Sequence, residues 1–209
     1  MSAPDLSALV SARLCHDLIS PMGAIGNGLE LLQMAPGGAN AELALVNDSL
    51  ANALAKLRFF RIAFGPADAQ ARQTAEEAAQ LTDAMFSGRF TVSWQAAAGA
   101  DMPRLLARLV YLAILCLERS LPMGGTVRIA IEPAAVSLAV DGRRTAPPTE
   151  LWSHVTGGAP VPGLKADGVQ FGLLRQALEA TGHGIDVCFA ETSASLRIAV
   201  PQPALSALP

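Results

Sequence analysis

The chain has 209 residues, is 51% hydrophobic and carries only 16% charged residues, with a net charge of −3. That length holds one large domain or two small ones with real cores. The acidic balance argues against nucleic acid as the main partner, and a surface this poor in charge points to a buried oligomer interface. The longest apolar run, over 109–117, is far too short to span a bilayer. The first residues lack the basic-then-apolar pattern of a leader. Cys15, Cys116 and Cys188 are widely spaced with no CxxC, which reads as reduced thiols in the cytoplasm.

A long amphipathic helix is expected over about 4–34. Leu6, Val10, Leu14, Leu18, Met22, Ile25, Leu29 and Leu32 recur every three or four residues and form one apolar stripe. A turn follows at 35–38, where Pro and Gly cluster. A second helix spans about 40–64, with Leu43, Val46, Leu50, Ala53, Leu57, Phe60 and Phe64 at the alternating spacing of a coiled-coil seam. Gly65-Pro66 ends it. Two long helices joined by a short loop make an antiparallel hairpin, which cannot enclose its own core. Pairing with a second copy, as a homodimeric four-helix bundle, is the simplest solution. Residues 1–66 are therefore read as a hairpin domain and 67–209 as a second domain.

In the second part a helix is expected over 70–86, a strand over 89–94 and a very apolar helix over 101–121. Strands follow at 126–131 and 136–141, a short helical patch at 150–154, a helix at 172–181, and strands at 185–189 and 195–200. Helices mixed with mostly antiparallel strands define an α+β layer.

Within the first helix His16 lies two residues from both Leu14 and Leu18. At about 100° per residue it sits on the side opposite the apolar stripe. Ser20, Gly23 and Asn27 follow it at helical spacing. Pro21 falls five residues after His16, inside the helical pattern. A mid-helix proline removes the hydrogen bond to the carbonyl four residues back, here Asp17, at a cost of about 3 kcal/mol.

His16-Asp17-Leu18-Ile19-Ser20-Pro21-Met22 resembles the phospho-acceptor box of histidine kinases in order and spacing. The second part resembles their ATP-binding, Bergerat-type domain, an α/β sandwich, with its boxes degraded. Arg119, Pro122, Gly124 and Gly125 fit the tail of the first box, but Leu112 and Cys116 stand where that family has its two asparagines. Leucine and thiol are poor ligands for Mg²⁺. Asp141 and Gly142 fit the adenine-reading box, whereas Arg143 and Thr145 stand at its glycine positions. In the last box, Gly168-Val169-Gln170-Phe171-Gly172-Leu173, Gln170 has replaced a glycine. Side chains at such positions fill the phosphate path.

Together these residues resemble alphaproteobacterial histidine phosphotransferases of the ChpT type, over nearly the whole chain. That resemblance implies a phosphorelay intermediate that takes a phosphoryl group on His16 from the receiver domain of a hybrid histidine kinase. It would then pass the group to response regulators without using ATP. No cofactor or metal is expected in this chain, and the receiver is expected to bring Mg²⁺. His16 is expected to act as nucleophile, with Asp17 and Ser20 beside it in the catalytic set. Arg13, Gly23 and Asn27 are expected to meet the partner. An ATP-dependent histidine kinase and a non-catalytic pseudokinase scaffold are the alternatives.

Overall fold

The computed structural model describes residues 5–34, 40–66, 68, 70–97 and 99–201, and the turn expected at 35–38 lies outside them. Helix α1 (Leu6–Met34) is capped by Asp5, whose Oδ1 accepts from the N–H groups of Ser7 and Ala8 at 3.0 and 3.2 Å. Helix α2 (Asn40–Ala63) packs against it. Val46 lies at Gly28 and Lys56 at Asp17, so the two helices run antiparallel. Their close approach depends on Gly28, where an added Cβ would meet Val46 Cγ2 at 2.5 Å.

The apolar stripe expected along α1 is divided in the fold. Leu6, Val10, Leu14, Leu18, Ile25 and Leu32 are partly buried, but Met22 is 58% exposed and Leu29 47%. Among the described residues, the buried positions of the distal half are instead Pro21 and Gly28. One neighbouring helix covers only part of a helix's circumference, so α2 takes one edge of the stripe and leaves the other open. The seam of α2 divides likewise: Ala53 and Phe60 are buried, while Leu43, Leu50 and Leu57 face outward.

The remaining elements are β1 (Arg72–Thr74), α3 (Ala75–Met85), β2 (Phe90–Gln95), β3 (Asp101–Pro103), α4 (Arg104–Arg119), β4 (Gly125–Glu132), β5 (Ala135–Gly142), α5 (Thr149–Val155), α6 (Val169–Thr181), β6 (Gly184–Phe189) and β7 (Ser193–Ala199). The helices expected over 70–86 and 101–121 each begin instead with a three-residue strand. β1 and β3 pair antiparallel, from Arg72 opposite Pro103 to Thr74 opposite Asp101, and the Arg72–Asp101 ion pair spans them. Thr74 then caps α3 in a reciprocal arrangement with Glu77, each bond 3.1 Å.

The main sheet has the order β2-β4-β5-β7-β6, with β2 parallel to β4 and every other pair antiparallel. Alternation along β4, β5 and β7 buries Val127, Ile129, Leu138, Val140, Leu196 and Ile198 on one face. Helices α4 and α6 share that core. α4 is apolar around its whole girth from Leu109 to Leu117 because sheet, α6 and α2 surround it. The mixed helical and sheet class read from the sequence is the class observed. The base of α2 belongs to the same core: Phe59 and Phe60 are buried, and the Phe59 ring lies 5.0 Å from Tyr111 and 5.3 Å from Phe86.

Candidate functional site

The 29 residues of α1 make about eight turns, and the site lies where α1 leaves the core of the second part. Leu6, Leu9, Val10 and Leu14 pack on that core. Gly172 of α6 makes room for them: a Cβ there would stand 2.9 Å from Leu6 and from Leu164. The glycine retained from the last kinase-like box thus serves the docking of α1.

The next turn carries His16, whose side chain is 86% exposed. Its Nδ1 lies 2.9 Å from Asp17 Oδ1. An ionised carboxylate only accepts hydrogen bonds, so Nδ1 is the donor, and in the neutral ring the lone pair is left on Nε2. Asp17 is largely covered, and its other oxygen accepts from Arg13 Nε at 2.6 Å. Arg13 also donates through Nη1 to the carbonyl of Asp167 at 3.3 Å. Arg13, Asp17 and His16 therefore form one hydrogen-bonded chain. Ser20, Gly23 and Asn27 continue along the exposed side of the helix, and nothing lies within 4 Å of a Cβ built on Gly23.

Three further residues meet this turn. Lys56 of α2 donates from Nζ to the main-chain carbonyl of Asp17 at 3.3 Å. Asp167 takes Arg119 on its carboxylate at 2.9 Å, and its carbonyl accepts from Gln170 Nε2 at 3.1 Å as well as from Arg13. Glu118 of α4 lies among Arg13, Asp17, Lys56 and Arg89; burial pushes its carboxyl above the usual range, and the three cations only partly offset this. A cleft of about 300 Å³ opens here, lined by Arg13, Arg89, Glu118, Arg119, Asp167 and Gln170. Sequence reasoning missed Lys56, Glu118 and Asp167. Each reaches the site by a contact distant in sequence, and none belongs to a motif.

The degraded boxes have structural uses. Leu112 and Cys116 are fully buried in the core. Asp141 is ion-paired with Arg128. The Gln170 side chain is buried, its Oε1 without a hydrogen-bond partner among the described residues. Among the described residues, no group of three or more His, Cys, Asp or Glu side chains is placed to hold a metal ion. Nor is any described helix long and apolar enough to cross a membrane.

Residues 75–193 match the histidine phosphotransferase C-terminal domain, and the chain belongs to that family. It is 35% identical over 177 residues to the protein phosphotransferase ChpT of Brucella abortus (strain 2308), a match covering 81% of this chain and 83% of that protein. The solved 1.7 Å structure of a bacterial phosphotransferase aligns with a TM-score of 0.78 and 31% identity, covering 95% of this chain and 97% of that one.

Proposed function

We propose that this protein is the histidine intermediate of a cytoplasmic phosphorelay. The observation that carries the reading is the exposed Nε2 of His16, with Nδ1 held by Asp17. The Nε2 lone pair attacks the phosphorus of a receiver's phospho-aspartate, the N–P bond forms, and the acyl P–O bond breaks to leave the free carboxylate. Because Nδ1 keeps its proton, the phosphorylated ring is cationic and Asp17 balances its charge. The reverse step places the phosphoryl group on a response-regulator aspartate. Transfer is then chiefly positioning and charge neutralisation, with Mg²⁺ contributed by the receiver.

Arg13 holds Asp17 in place, and the receiver meets the open side of α1, where Ser20, Gly23 and Asn27 lie. A second copy covers the outward apolar face of α1 and α2, which includes Ile19, Met22, Leu50, Leu54 and Leu57. The dimer is then the four-helix bundle expected from the hairpin. ATP plays no part: the residues in place of the asparagines lie in the core, and Asp141 is engaged by Arg128.

Phosphotransfer from a panel of phosphorylated receiver domains tests the reading. Wild type is expected to take label and pass it on, and His16→Ala is expected to take none. Labelling of the isolated protein on His16 by radioactive ATP would instead establish a kinase. Relay that survives in His16→Ala would remove the acceptor role.

A further inference from the structure

We infer that Lys56 is a positioning residue for His16, acting through the peptide of Asp17 to close the gap that Pro21 opens in helix α1. The inference rests on the reading of His16 as the phosphoryl acceptor.

A helical carbonyl normally accepts from the N–H four residues ahead. For Asp17 that residue is Pro21, which has no N–H. The carbonyl is left over at the turn whose side chain orients the acceptor ring. Lys56 Nζ supplies the missing donor at 3.3 Å, from a residue 39 positions away on α2. Lys56 is itself held: Phe59 and Phe60, three and four residues on, are buried in the common core. Pro21 is buried in the hairpin as well.

The consequence is geometric. Asp17 meets the His16 ring with one carboxylate oxygen and Arg13 with the other. Those bonds orient the ring only while the Asp17 backbone is fixed, and helix α1 alone does not fix it there. Lys56 replaces a local bond with one to α2, so the orientation of His16 depends on the packing of the hairpin and, through Phe59, on the core of the second part. The ammonium's charge also favours ionisation of Glu118 on α4, so all three helices bear on the turn beneath the acceptor.

A double-mutant cycle separates this role from a simple surface charge. Pro21→Ala restores an N–H for the Asp17 carbonyl and makes Lys56 redundant. Two readouts are taken on the full chain: ¹⁵N chemical shifts of the His16 ring, which report its tautomer, and the rate of His16 phosphorylation by phosphoramidate, which needs no receiver. Lys56→Met is expected to lower the rate about tenfold and to shift the ring from a single Nδ1–H tautomer toward a mixture. Lys56→Arg is expected to retain both properties. Lys56→Met in the Pro21→Ala background is expected to behave as Pro21→Ala alone.

Unchanged ring shifts and rate in Lys56→Met would overturn the inference. So would an equal loss in the Pro21→Ala background, since Lys56 would then act on the phosphoryl group directly. The ring shifts are read without any phosphoryl donor, so this outcome is independent of whether the relay reading holds.

Discussion

Arg128 on β4 and Asp141 on β5 are diagonal neighbours across an antiparallel pair and form an ion pair. The aspartate that resembles an adenine reader is therefore already matched by a cation on the same face. Both side chains are well exposed, and such a pair contributes about 0–1 kcal/mol. Asp141→Asn is expected to leave thermal stability and phosphoryl transfer within twofold of wild type. Loss of transfer in that variant would show that Asp141 still has a task at the site.

Glu118 gives a pH-dependent prediction. Its carboxyl is pushed up by burial, so between the ordinary carboxylate value and the raised one the folded protein binds more proton than the unfolded chain. The cost of ionising it is absent at low pH, grows through that window and is complete above it. Glu118→Gln is expected to match wild type in urea denaturation near about pH 4 and to exceed it near about pH 8. A less stable variant at the higher pH would mean that Arg13, Lys56 and Arg89 outweigh the burial.

The three thiols are expected to divide into two classes. Cys15 and Cys188 are exposed, whereas Cys116 is buried and its pKa is raised by that burial. A thiol-reactive dye is expected to label two cysteines rapidly in the native protein and the third only on unfolding. Rapid labelling of all three would mean that α4 opens easily.

The outward face of the hairpin sets the oligomeric state in the proposed bundle. Leu54→Glu combined with Leu57→Glu places charges among Ile19, Met22 and Leu50, all of them exposed in the single chain. Sedimentation is expected to show a dimer for wild type and a monomer for the variant, with circular dichroism unchanged. A monomeric wild type would leave that face to some other partner.

Gly182 ends α6 in the left-handed region, at φ 70°, with open space where a Cβ would point. Gly182→Ala therefore meets conformational cost alone, about 1 kcal/mol. A lower unfolding midpoint of that size checks it.

The long elements were legible because their periodicities run for several turns or several strand residues. α1, α2 and α4 to α6 fall close to where spacing puts them, as do β4 to β7. The β1–β3 ribbon was not legible: each strand is three residues, too short for alternation to register, and its partner lies far along the chain. Met22 and Leu29 belong to the apolar pattern, yet pattern alone does not say which apolar face meets which neighbour. At the site, the outward phase of His16 was readable from helical spacing, whereas Asp17 and Arg13 entered only with the resemblance, and the bond between them was not foreseen. Lys56 was not, because the carbonyl it serves is vacated by Pro21 on another helix.

The parallel pairing of β2 with β4 carries a consequence for assembly of the fold. β4 with β5 and β6 with β7 are joined by tight turns and can zip early, each from its own short segment. β2 has no such shortcut: it reaches β4 only after α4 has crossed between them, so a long loop must close first. The edge strand nearest the base of the hairpin is therefore a late arrival, and in a nascent chain β4 presents an unpaired rim until it docks.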